Sequence, residues 1–212
     1  MQKLEIDVIS DVVCPWCYLG KRKLDAAMKQ VEAFSYDVRW RPFQLDPTIP
    51  PEGIARAEYM SRKFGPEKIA AIHVRLEEAG QEEGLSFAFD KITRSPNTLD
   101  AHRLIRWAQP SGKQSDIVER LFNLYFVEGQ DIGDRNVLID VARQAGLDVD
   151  LVTRLFVEGV DIVPVQEEMS TAARMGVSGV PFFIFGGKYA VSGAQPVDAL
   201  VGVIWKAGSE LE

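Results

Sequence analysis

Two cysteines, the only two in a chain of 212 residues, stand three positions apart as Cys14-Pro15-Trp16-Cys17. Their flanks narrow the fold sharply. Ahead of them, Leu4, Ile6 and Val8 alternate with polar residues and Ile9 closes the run, the pattern of a strand over residues 4–9. Behind them, Leu19, Leu24, Ala27, Met28 and Val31 recur at helical spacing, which predicts a helix over residues 18–31. Alternation returns at residues 36–41 as a second strand. Strand, helix and strand in so short a stretch make a βαβ unit, with parallel pairing and a right-handed crossover.

The texture then changes. Residues 42–53 hold four prolines and no period, so they form a loop. Helical spacing dominates from residue 55 to 175, with helices expected at 55–83 (broken at Gly65-Pro66), 98–109, 115–128, 135–145, 151–158 and 164–175. Residues 85–89 alternate briefly and read as a short extended piece. Strand texture returns at 182–185, Gly186-Gly187 makes a turn, 188–192 form another strand, and a last helix covers 197–207. The order βαβ, helical block, ββα describes an α/β fold carrying an insertion. The expected division is residues 1–50 with 176–212 for the sheet domain, and 51–175 for the helical insertion. One near-repeat, Phe126–Ile132 against Phe156–Ile162, reads as shared helix-stop chemistry: glycine after a helix end, then an aspartate starting the next element.

Charge removes some function classes. A net charge of −7 repels phosphate backbones and anionic lipid, so neither nucleic acid nor a membrane surface is an expected partner. No apolar run is long enough to span a bilayer, and Lys3, Glu5 and Asp7 interrupt any signal-like segment, so the chain reads as cytoplasmic. In a reducing compartment, two lone cysteines in C-x-x-C point to chemistry or metal rather than a disulfide scaffold. Zinc wants about four ligands. The only histidines, His73 and His102, are too far apart for a finger-like pair, so no metal is expected. The bland alternative is a pair of buried structural cysteines.

The strand–CPWC–helix context favours redox work. Pro15 suits the first helical turn, where its missing N–H costs nothing. Cys14 then sits beside unpaired backbone N–H groups and the positive end of the helix dipole, which favour thiolate, the nucleophilic form. Cys17, three residues on, shares the helix face and can close a disulfide with Cys14. The expected roles are Cys14 as exposed attacking thiolate and Cys17 as shielded resolving thiol. Trp16 reads either as an apolar platform for substrate or as an aromatic that only fills a groove.

Beyond these, several segments carry a resemblance. CPWC after a strand, helices inserted in the middle and Gly179-Val180-Pro181-Phe182-Phe183 near the end resemble the DsbA-like thioredoxin-fold oxidoreductases. Ser10–Gly20, Trp40-Arg41-Pro42-Phe43, Asn97-Thr98 with Ala101-His102-Arg103, and Val191–Gln195 look like its FrnE branch, spread over nearly the whole chain. The resemblance implies a thioredoxin fold, βαβ then ββα, with a large helical insertion. It also implies a cis Val180-Pro181 bond facing the cysteines, where the Val180 backbone can pair with an extended substrate. Read alone, Pro181 is simply a proline at a strand start, and most such bonds are trans.

The function implied by the resemblance is that of a thiol–disulfide oxidoreductase acting on protein or small-molecule thiols and disulfides. It needs no cofactor beyond its own redox-active disulfide, takes glutathione as an optional co-substrate, and works as a monomer or homodimer. The related 2-hydroxychromene-2-carboxylate isomerases and kappa-class glutathione transferases define the alternative, a glutathione-dependent isomerase or transferase. Those isomerases carry Ser where Cys14 stands, and their late loop supplies an acid that grips the glutathione amine. Here Ser192–Pro196 has no acid before Asp198. A third reading is a non-catalytic module holding extended peptides around Trp16 and Pro181. Four residues complete the candidates. Asp11 reads as a proton relay for Cys17 or as a loop residue holding backbone N–H groups. His102 lines the cleft or is a core histidine. Trp40 and Phe43 form cleft wall or plain core.

Overall fold

The structure, a computed structural model, describes residues 2–211. Strand β1 (Lys3–Ser10) follows from its alternation: Leu4, Ile6, Val8 and Ser10 point to one face and are buried. Helix α1 (Pro15–Gln30) begins where the sequence permits, with Cys14 in extended conformation at the N-cap and Pro15 in the first turn. Strand β2 (Ser35–Pro42) then pairs parallel to β1, from Lys3 opposite Ser35 to Ser10 opposite Pro42.

Strands β3 (Ile54–Ala55) and β4 (Arg94–Ser95) form a small antiparallel pair of their own. Helices α2 (Arg56–Phe64) and α3 (Pro66–Glu82) divide at Gly65, whose φ of +81° breaks the helix and whose successor is proline. Helices α4 (Leu99–Trp107), α5 (Gln114–Phe126), α6 (Arg135–Gln144), α7 (Val149–Val157) and α8 (Ile162–Arg174) come next in the chain. The last elements are β5 (Phe182–Phe185), β6 (Tyr189–Ser192) and α9 (Val197–Gly208). This is a thioredoxin fold of the α/β class carrying helices between its two halves.

Of the short extended piece expected at residues 85–89, the last residue begins a 3-10 turn, Phe89–Lys91, and Phe89 packs on Phe87 and Phe126. The pair β3–β4 leaves no trace in the sequence pattern, since two residues are too few to show a period.

The chain divides into two compact units. The first holds the residues up to Leu45 together with those from Glu168 onward, and the second is Asp46–Glu167, so the division falls inside α8 rather than at residue 175. In the first unit the sheet order is β2-β1-β5-β6, with β5 antiparallel to both neighbours. Val8 stands opposite Phe183 and Ile6 opposite Phe185, so these side chains share the face that α1 covers, with α9 packed beside α1. The other face buries Ile9 with Ala172 and Val177, and Phe43, Val180, Phe182 and Ile184 pack against them.

In the second unit one charge is wholly buried. The Arg103 guanidinium donates to the carbonyls of Leu155 and Val160, at 2.7 and 2.6 Å, and to Asp100 at 2.6 Å. A cation placed on carbonyls at and beyond the end of α7 meets both the unpaired acceptors and the negative end of the helix dipole.

Candidate dithiol site

The site starts where β1 stops. The Asp11 carbonyl accepts the Cys14 N–H at 3.0 Å, and one Asp11 carboxylate oxygen accepts the Leu45 N–H at 2.8 Å. Asp11 is 1% exposed. Its carboxylate thus pins the chain leaving β2 to the turn that presents the cysteines, a contact of the kind named in one of the two readings of Asp11. The Cys14 carbonyl then accepts the Cys17 N–H at 3.0 Å and the Tyr18 N–H at 3.3 Å, closing the first turn of α1.

Both thiols are free and both are buried, Cys14 at 4% exposure and Cys17 at 1%. The expectation of an exposed Cys14 is therefore corrected. The Val180 segment lies against it, and the Cys14 Sγ stands 3.7 Å from the Val180 carbonyl oxygen. Burial, the largest cause, pushes the Cys17 thiol well above its ordinary range, and the neighbouring Cys14 raises it further. Contact with the Ser10 side chain and the Asp11 backbone works in the opposite direction.

The Val180–Pro181 peptide bond is cis. Pro181 is buried and Val180 half-buried. Gly20, on α1, makes room for the proline: a Cβ there would stand 2.8 Å from Pro181 Cγ and 3.1 Å from Phe183 Cζ. The loop after β6 is tied in as well, through the Gly193 N–H to the Pro181 carbonyl at 2.8 Å and Lys23 Nζ to the Ala194 carbonyl at 3.4 Å.

Within the first unit, then, Asp11, Cys14, Pro15, Trp16, Cys17, Val180 and Pro181 are brought together, with Pro15 and Trp16 half-buried at the start of α1. Phe43 packs in the apolar cluster that contains Val180, as core supporting the site. Trp40 is buried in β2 in register with Val8, a sheet position. His102 is buried in α4 of the second unit, its N–H bonded to the Thr98 carbonyl at 3.0 Å. Sequence reasoning missed Ser10 and Gly20. Ser10 carried a readable signal, a polar residue continuing the buried even-numbered row of β1. Gly20 carried none, because its need for space comes from Pro181, about 160 residues away.

Comparison with known proteins bears on the family and the fold. A family model described as DSBA-like thioredoxin domain matches residues 5–204. The protein YwbO of Bacillus subtilis is 28% identical over 145 residues, 68% of either chain. A probable DsbA oxidoreductase from Streptomyces coelicolor superposes with a TM-score of 0.89 at 27% identity, covering 98% of this chain and 91% of that one. The fold alone is shared with a cytosolic disulfide reductase, DsbM, from Pseudomonas aeruginosa crystallised with GSH (TM-score 0.67, 17% identity, 97% and 99% covered). It is shared too with a 2-hydroxychromene-2-carboxylate isomerase (TM-score 0.73, 16% identity, 98% and 99% covered).

Proposed function

We propose, from the premise that this chain belongs to the DsbA-like thioredoxin domain family, that it exchanges thiols and disulfides through Cys14 and Cys17. The observation that carries the proposal is the placement of the pair. Cys14 stands at the N-cap position of α1 with its sulfur against the Val180 carbonyl, and Cys17 lies buried one turn along the same helix.

The chemistry is set by that placement. The Cys14 thiolate, at the positive end of α1, attacks a substrate disulfide R–S–S–R′ and expels R′S⁻, leaving a mixed disulfide on Cys14. Cys17 loses its proton to water or buffer and attacks the Cys14 sulfur, releasing RS⁻. Two electrons have moved to the substrate, and the Cys14–Cys17 disulfide remains. Reversed, the same steps oxidise a dithiol. Backbone of an extended substrate pairs at Val180, and Trp16 offers an apolar surface beside the sulfur. Asp11 remains a candidate relay for the Cys17 proton. Glutathione is the small thiol that returns the pair to its reduced form, in keeping with a structural neighbour that was crystallised with it. The finer placement in the FrnE-like branch rests on the motifs from Ser10 to Gly20 and Val191 to Gln195, and the expected setting is cytoplasmic.

The test is turnover of a glutathione-linked disulfide substrate by the protein and its single variants. Cys14→Ser abolishes exchange, because a hydroxyl is not ionised near neutral pH, and Cys17→Ser loses steady turnover. A glutathione-dependent isomerase predicts the opposite, with Cys17 dispensable and Ser tolerated at position 14.

A further inference from the structure

The row Leu4, Ile6, Val8 and Ser10 on β1 is apolar until its last member. Ser10 is 3% exposed, and its hydroxyl has no hydrogen-bond partner among the described residues. A buried hydroxyl left without a partner loses its bond to water and gains nothing in return, so its presence needs a reason.

Topology supplies one. In a βαβ unit the helix runs back along the strand it leaves. Gly20 lies over Phe183, which stands opposite Val8, so this stretch of α1 covers the middle of the row. Cys17 is one turn earlier, about 4.5 Å back along the axis. Ser10 is two residues beyond Val8, about 6.6 Å along the strand in the same direction. Cys17 and Ser10 therefore occupy the same end of the layer between α1 and the sheet, and both are buried.

We propose that Ser10 is the hydrogen-bond donor to the Cys17 sulfur, supplying the partner that the resolving thiolate needs in an apolar layer. This rests on the dithiol reading above. With Cys17 neutral, a weakly accepting thiol leaves the hydroxyl without a good acceptor. When Cys17 loses its proton to attack Cys14, or leaves as thiolate in the reverse step, the sulfur becomes a charged acceptor and the hydroxyl turns toward it. Ser10 keeps its own proton throughout, so no electron or proton is added to the balance. The downward pull that the Ser10 side chain exerts on the Cys17 thiol agrees in direction. The ionisable neighbour acting on Cys17 in the same layer is Cys14, and the Asp11 backbone adds a further interaction that favours the thiolate.

The variant that isolates the donor is Ser10→Ala. A hydrogen bond to a charged group, once lost, lowers the thiolate fraction of Cys17 at neutral pH about 10- to 100-fold. The more basic sulfur is a better nucleophile and recovers about half of that on a logarithmic scale. Resolution of a preformed mixed disulfide on Cys14 should slow about 3- to 10-fold. The pH at which Cys17 is half alkylated, measured in a Cys14→Ser background, should move up by about one unit or more. Ser10→Thr, which keeps the hydroxyl, should restore both readouts, and its isostere Ser10→Val should not. That pair carries the comparison on its own if Ser10→Ala does not fold. An unchanged alkylation midpoint and resolution rate in Ser10→Ala, or equal values for the Thr and Val variants, would overturn the proposal. Failure of the dithiol reading looks different: the unmodified protein itself would then form no mixed disulfide to resolve.

Discussion

Gly20→Ala is a one-carbon perturbation aimed at the joint between α1 and Pro181. On helix propensity alone it should stabilise the protein by about 1 kcal/mol. The surroundings argue otherwise. The added Cβ would stand 2.8 Å from Pro181 Cγ, where 3.4 Å is the start of ordinary contact, and 3.1 Å from Phe183 Cζ. The proline ring, tied through its carbonyl to the Gly193 N–H and packed in the interior, must give by about 0.6 Å. Overpacking of this kind costs about 1–3 kcal/mol, so the net effect is a loss of about 0–2 kcal/mol instead of a gain. Function should suffer more than stability. Val180 moves with Pro181, and its carbonyl is the group 3.7 Å from the Cys14 sulfur. A misplacement of about 1 Å costs a reaction about 100-fold, so a shift of about 0.6 Å should slow disulfide exchange by roughly tenfold. Denaturant midpoint and exchange rate, measured on the same preparation, decide it. If Gly20→Ala gains the full helix-propensity increment and exchanges at the original rate, the close approach has no role in shaping the site.

Two other parts of the molecule give further expected outcomes. Arg103→Met removes a fully buried cation and strands the Leu155 and Val160 carbonyls, so urea unfolding should show a loss of about 3 kcal/mol or more. His73 stacks on Phe89 with ring centres 4.5 Å apart, its Nε2 is buried without a hydrogen-bond partner among the described residues, and burial lowers its pKa from the ordinary 6.5. The unfolded chain then binds that proton more readily than the folded one, so stability should fall as pH drops below about 6.5. His73→Phe should flatten that part of the profile, as read from denaturant midpoints at neutral and mildly acidic pH. An equal acid slope in both proteins would remove His73 as its source.

Much of the fold is legible in the residues because the signals are local. The alternation at Leu4, Ile6 and Val8, the helix opened by Pro15, and the break at Gly65-Pro66 each depend on neighbours within a turn or two, and each element stands where its pattern put it. The same holds for Gly129 and Gly159 in the near-repeat, both at positive φ after a helix end. The features that the residues alone conceal are set by distant packing. Burial of Cys14 depends on Val180, 166 positions away, so exposure could not be inferred from its place at a helix start. The 3-10 turn at Phe89–Lys91 has no period to read, and the packing of Phe87 and Phe89 on Phe126 joins residues far apart in the chain. Trp40 lies in β2 as its alternation predicts, but that it stands opposite Val8 is set by strand pairing, which one strand's pattern does not carry.

The most direct test of the dithiol account is to incubate the Cys17→Ser variant with a disulfide substrate and weigh the intact protein by mass spectrometry. The account predicts a stable adduct of one substrate thiol on Cys14, absent from Cys14→Ser and transient in the unmodified protein, where Cys17 releases it. No adduct on Cys17→Ser, with its turnover retained, would contradict the account and transfer the fold's activity to chemistry that needs only one of the two sulfurs.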